Sequence, residues 1–219
     1  MIKSALRFYQ RRRFAILFFS ILVALGFAPI VESFRWGAFI IELVMATSLL
    51  AVIASLERRR ITLILALFIV LAAARVFREL IQSSTTHHIS DGMWVVCGVL
   101  ALFVCARYAL REGSIDAERL FSALSTYLLA ALVMAASYWT LESALPGSFT
   151  IAGGKPFDMD TAVYFSFVTI STLGYGDVVP VSEAARGLSV LEAVGGQMYL
   201  AVLVARLVSL YTVHAPRKR

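Results

Sequence analysis

Thr169-Ile170-Ser171-Thr172-Leu173-Gly174-Tyr175-Gly176-Asp177 is the stretch on which the reading of the whole chain depends. Glycine reaches backbone dihedrals that other residues adopt only at a cost. Two glycines separated by one residue therefore suit an extended strand that needs unusual dihedrals at alternate positions and turns its carbonyls to one side. A lone Gly-Tyr-Gly is a weak signal, because many soluble loops contain one. Here it follows an aromatic, helix-compatible run, Ala162-Val163-Tyr164-Phe165-Ser166-Phe167-Val168. After it come Asp177, Pro180 and then a long apolar stretch.

The composition gives that stretch its setting. Of 219 residues, 60% are hydrophobic and 16% charged, and the mean hydropathy is +0.82. Several long apolar runs read as membrane spans. The net charge of +6 argues for basic cytoplasmic loops rather than for nucleic acid. Cys97 and Cys105 stand eight apart in one apolar run, too far along a helix to pair, and read as small apolar packers. No nucleophile–base pair, metal cluster or phosphate loop is apparent, so the expectation is a protein without catalytic chemistry and without a cofactor.

Taken in order, the chain threads as six spans. Residues 1–13 are short and basic (Lys3, Arg7, Arg11, Arg12, Arg13). The first span, Phe14 to Val31, is longer than a usual signal-peptide core, and no small-x-small cleavage site stands out in it. The second runs from about Trp36 to Leu56. The third begins at Ile61 and takes in Arg75, which would snorkel outward. The fourth runs from about Gly92 to Leu110, the fifth from about Leu120 to Leu141, and the sixth from about Glu183 to Tyr211. With both termini inside, the basic clusters at Arg58-Arg59-Arg60, at Arg107, Arg111 and Arg119, and at Arg217-Lys218-Arg219 share one face of the membrane. The outer face keeps scattered positives: Arg35, Arg75, Arg78, Lys155 and Arg186. The Thr172–Gly176 stretch then re-enters from outside between spans five and six. Non-helical backbone at that depth is allowed only where protein or water surrounds it.

On these residues the segment from about 116 to 211 resembles the pore domain of tetrameric potassium channels, and more narrowly the bacterial ion-channel family with that single pore module. The family's filter has the form Thr-Val-Gly-Tyr-Gly. A potassium ion that sheds its water must find backbone carbonyls to replace the lost oxygens. Carried over, the resemblance makes the carbonyls of Thr172, Leu173, Gly174 and Tyr175, with the Thr172 hydroxyl, the potassium ligands, and Gly176 the turn at the mouth. Asp177 matches the family's Asp just outside the filter, where it braces the pore helix and adds negative charge that concentrates cations. The pore helix is expected from about Asp160 to Ser171, with Asp158 or Asp160 as its N-cap. Its C-terminal end would favour a cation in the cavity below.

Several positions depart from the family pattern. Leu173 replaces Val. Val168 stands where some members have a filter-bracing Glu, and Tyr164-Phe165 where others have paired Trp. None removes a filter oxygen. Glu192, in the outer half of span six, is costly unless paired. It is either a partly hydrated carboxylate with a structural partner or a residue that reaches behind the filter to support the pore helix. Gly195-Gly196 loosen span six, and Gly196 matches the family's glycine hinge; close helix packing is the alternative. From Gln197, helical spacing puts Ala201, Val204 and Val208 on one stripe. That stripe either lines a cavity, with Gln197 facing the hydrated ion and Val204 and Val208 forming an apolar constriction, or faces lipid or another helix.

The expected architecture is all-α: residues 1–112 form a four-helix transmembrane domain and residues 113–219 a pore domain. A voltage sensor needs Arg at every third position of the fourth span, and only Arg107 is there, so little steep voltage dependence follows. Glu42 and Arg75 are expected to pair, and His87 and His88 to sit solvated in an outer loop. One chain carries one filter segment, so the ring needs four copies, a cyclic homotetramer. The resulting expectation is passive potassium conduction across a bilayer, in a bacterial inner membrane, with no nucleic-acid partner. The alternatives are a membrane component of an ion-coupled potassium uptake transporter and a non-conducting sensor or regulatory subunit that keeps the pore fold.

Overall fold

The computed structural model of the chain describes residues 12–31, 98–111 and 116–214. The expectations for the second and third spans, Glu42 and Arg75, His87 and His88, Cys97 and the basic terminal residues 1–11 and 217–219 lie outside the described residues. The described part is mostly helical: α1 (Arg13–Val31), α2 (Gly98–Ala109), α3 (Ala117–Ala144), β1 (Phe149–Ile151), α4 (Met159–Ile170), β2 (Val178–Pro180) and α5 (Glu183–His214). Among these residues, two helices are long and apolar enough to cross a bilayer: α3 and the Glu183–Ser209 part of α5. The chain divides into two compact units, the break falling within α3 between Leu128 and Leu129.

The first unit holds α1, α2 and the start of α3. Asp116 caps α3, its carboxylate accepting from the Arg119 N–H at 2.9 Å. Two residues on, Glu118 accepts from the Phe14 N–H at 3.1 Å, giving a partner to one of the donors that the first turn of α1 leaves open. Phe14 stacks on Tyr108 of α2 with centroids 4.4 Å apart, and the Arg13 guanidinium lies over both rings. The Ser122 hydroxyl donates to the Cys105 carbonyl at 2.8 Å.

The second unit holds the rest of α3 and everything after it. α3 runs for 28 residues because nothing within it, neither Gly nor Pro, interrupts the ladder. It stops at Leu145-Pro146-Gly147, where Gly147 takes a φ of 86°. The Glu142 carboxylate then satisfies the Gly147 and Phe149 N–H groups, at 2.8 and 3.1 Å. β1 and β2 pair antiparallel, Phe149 opposite Pro180, Thr150 opposite Val179 and Ile151 opposite Val178. The sequence reading has only an outer loop over residues 142–160; the structure places a strand in it. The core of this unit gathers Ala135, Tyr138, Phe149, Ala162, Phe165, Val178 and Ala185 from all five elements. α5 continues as one helix through Gly195-Gly196.

Candidate functional site

The site is built on α4. Its N-cap is Asp158, in extended backbone, whose carboxylate accepts from the Thr161 N–H at 2.8 Å. The hydrogen bonds from Thr161 hold the Asp158 carboxyl below the usual carboxylate range. α4 buries Ala162, Phe165, Ser166, Val168 and Ile170, the aromatic run seen in the sequence. At its end the Ser171 N–H and hydroxyl donate to the Phe167 carbonyl, at 3.2 and 2.6 Å.

Beyond Ser171 the backbone alternates. Thr172, Gly174 and Gly176 have φ of 61°, 57° and 79°, while Leu173 and Tyr175 between them are not in the left-handed region. A β-branched residue at positive φ is a steric outlier, and among the described residues Thr172 is the one non-glycine that takes it. Strain of this kind persists only where the surroundings hold it, and it gathers at functional positions. The Leu173 and Gly174 N–H groups both donate to the Val168 carbonyl, at 3.0 and 3.4 Å, which pins the start of the stretch to α4. Residues 171–176 are exposed in the single chain, Leu173 by 60% and Tyr175 by 67%.

Asp177 closes the stretch. The Tyr164 hydroxyl donates to its Oδ2 at 2.8 Å, the Val178 N–H to its Oδ1 at 3.1 Å, and the Ala152 N–H to its carbonyl oxygen at 2.8 Å.

Behind α4 sits Glu192 of α5, only 4% exposed. The Tyr138 hydroxyl of α3 donates to its Oε2 at 2.5 Å, and the Ser166 hydroxyl of α4 meets its Oε1. Ser166 Oγ also lies 2.6 Å from the Ala131 carbonyl oxygen. Two hydroxyls thus share one buried carboxyl and join three helices. A buried charge or polar group without such partners would be expensive. Neither Tyr138 nor Ser166 is singled out by the sequence. The signal was there in principle, a tyrosine and a serine each placed among apolar helix residues, but it names no partner.

One turn further along α5, Gly196 meets the end of α4. A Cβ at Gly196 would lie 2.5 Å from Ile170 Cγ1 and 3.3 Å from the Ile170 carbonyl oxygen. The Gln197 amide donates to the same carbonyl at 3.5 Å. Gly195 has open space where its Cβ would be. Ala201, Val204 and Val208 are exposed in the single chain, together with Met198 and Val202.

Residues 122–213, which contain α4, the strained stretch and nearly all of α5, match the family model described as ion channel. The chain is 36% identical over 83 residues to the Two pore potassium channel c of Oryza sativa subsp. japonica, covering 38% of this chain and 18% of that protein. It is 36% identical over 89 residues to the Inward rectifier potassium channel Kirbac3.1 of Paramagnetospirillum magnetotacticum, covering 41% and 27%. It is 47% identical over 45 residues to the Calcium-gated potassium channel TvoK of Thermoplasma volcanium, covering 20% and 13%. The chain therefore spans less than a third of the length of each of these relatives.

Proposed function

We propose that this chain is the subunit of a potassium-selective ion channel that conducts passively through a homotetrameric pore. The observation that carries the reading is the alternation of positive φ at Thr172, Gly174 and Gly176. Alternating left-handed and ordinary dihedrals turn successive carbonyls to the same side of a strand. Four such strands around one axis make stacked oxygen cages, in which a dehydrated potassium ion exchanges water oxygens for carbonyl oxygens at little net cost. The ligands in this reading are the carbonyls of Thr172, Leu173, Gly174 and Tyr175 and the Thr172 hydroxyl, with Gly176 turning the strand outward. The similarity of residues 122–213 to the ion-channel family, and the printed names of the potassium-channel relatives, support the same reading.

The remaining residues take roles around that strand. Asp177 and Glu192 hold it: Asp177 through Tyr164, Glu192 through Ser166 on the rear of α4. The exposure of Leu173, Tyr175 and the α5 face in a single chain is what a fourfold assembly would cover. Gly196 gives the close crossing at Ile170, and Gln197, Ala201, Val204 and Val208 line the cavity below, the two valines forming an apolar constriction that gates by dewetting. In this reading the chain has six spans with both termini inside, in a bacterial inner membrane, and residues 1–112 support the pore with little steep voltage coupling.

The test is potassium against sodium flux into liposomes holding the full-length protein, with Gly174→Ala as control. Potassium uptake well above sodium uptake, lost in the variant, is the expected result. Equal uptake of both ions, or none, would refute the reading.

A further inference from the structure

The segment that follows α3 is more than a connection. Phe149 is buried and stacks on Phe157 at 4.4 Å, with Phe165 and Tyr138 edge-on at 5.4 and 5.5 Å. It thereby roots β1 in the core behind α4. From that root the backbone reaches over to the far end of the strained stretch. The Ala152 N–H donates to the Asp177 carbonyl, and the Val181 and Ser182 N–H groups donate to the Ser148 carbonyl, at 2.8, 2.8 and 3.3 Å. In an antiparallel ladder hydrogen-bonded pairs alternate with open ones. The bonded pairs at 148/181 and 152/177 put Thr150 opposite Val179 at a bonded position. They also put Pro180, which has no N–H, opposite Phe149 where none is needed. The sequence fits the ladder in detail.

The start of the Thr172–Gly176 stretch is held by α4 through Val168, and its end by β1 through Asp177. We propose that β1 is a positioning strand: Phe149 and the backbone of residues 148–152 clamp the outer end of the filter and keep its last carbonyls in the ion-coordinating arrangement. The proposal rests on the pore reading above. It assigns to the outer segment a part in ion selectivity that neither the glycine spacing nor Asp177 alone supplies.

The experiment uses full-length protein in liposomes, in a Cys97→Ala, Cys105→Ala background, with the potassium-to-sodium permeability ratio as readout. Thr150→Pro removes one ladder donor at an exposed position without touching the core. Phe149→Ala removes the root. Ile151→Cys with Val178→Cys places thiols at an open pair, where the two Cα atoms come closest and a disulfide fits. The ratio is expected to fall by roughly tenfold in Thr150→Pro. Oxidising the cysteine pair in that variant should restore it, and reduction should abolish the rescue. Because a disulfide also adds general stability, the melting temperature of each form is read alongside: the clamp predicts a rescue of selectivity in Thr150→Pro beyond what the oxidised pair gives to Phe149→Ala for the same rise in melting temperature. Should Thr150→Pro fail to assemble, the cysteine pair alone decides: the oxidised form should keep its selectivity in low potassium longer than the reduced form. An unchanged ratio in both variants, or a loss that the closed bond does not recover, would overturn the clamp while leaving a selective wild type and the pore reading intact. A wild type that passes no potassium would remove the pore reading, and the clamp with it.

Discussion

The Tyr164 hydroxyl donates to Asp177 Oδ2 at 2.8 Å, so the helix that precedes the Thr172–Gly176 stretch is bonded to the residue that ends it. The strand between them is closed into a loop by that one side-chain contact, with α4 as its rigid edge. Tyr164→Phe removes the donor and little else. Because both groups face solvent in the single chain, global stability should hardly change. The change belongs in the strand: potassium flux should decay faster than wild type when external potassium is lowered. Identical decay in the two proteins would show that the contact does not hold the strand.

Glu192 answers to a different measure, since it is buried. Glu192→Ala takes the acceptor from the Tyr138 hydroxyl and one of the two oxygens beside the Ser166 hydroxyl, which keeps the Ala131 carbonyl, an effect of about 1–3 kcal/mol. Glu192→Gln keeps an acceptor and adds a donor in nearly the same shape, and should cost less. In a double-mutant cycle with Ser166→Ala, the coupling energy should be on the order of 0.5–3 kcal/mol, read from melting of the assembled protein. Additive effects would mean that the two side chains do not act together.

The two adjacent glycines of α5 separate hinge from packing. Gly196→Ala must displace the buried Ile170 side chain and should destabilise by about 1–3 kcal/mol. Gly195→Ala meets nothing within the chain and gains helix propensity, about 1 kcal/mol in favour. Melting temperatures of the two variants should therefore move in opposite directions. Equal shifts would argue that flexibility shared by the pair, rather than the crossing at Ile170, is what the glycines provide.

Asp158 gives a pH dependence with a definite sign. Its carboxyl is held below its usual value, so the folded state favours the charged form. The stability this contributes is complete above the unfolded value of about 4 and is lost as pH falls through the lower folded value. Asp158→Ala should cost about 1 kcal/mol at neutral pH. Asp158→Asn, still an N-cap, should stay near wild type there and show a shallower acid-range slope. A slope as steep as wild type in Asp158→Asn would assign that share to other groups.

Much of the described fold was legible from local pattern. The apolar runs of α3 and α5 lie close to their expected bounds because a long uninterrupted apolar segment has few alternatives. The positive φ at Gly174 and Gly176 falls where two glycines one residue apart suit unusual dihedrals at alternate positions. Thr172 shares that conformation, which its side chain disfavours, and its residue type gives no sign of it. What could not be read was what depends on distant elements meeting. β1 and β2 are three residues each, separated by the whole of α4, and no periodicity can be seen in three residues. The Tyr138–Glu192–Ser166 cluster needs three helices in place before any of its members has a partner. For Gly196, the crossing at Ile170 gives a physical reason for the glycine that spacing alone left open beside the hinge.

The central claim is that alternating dihedrals at Thr172, Gly174 and Gly176 aim carbonyls at a dehydrated potassium ion. Its most direct test is the reversal potential of single-channel currents from the purified full-length protein in a planar bilayer, with potassium on one side and sodium on the other. The account predicts unitary steps that reverse close to the potassium equilibrium potential, and loss of that selectivity in Gly174→Ala. Steps that reverse near zero, or a bilayer that stays silent with correctly assembled protein, would contradict it.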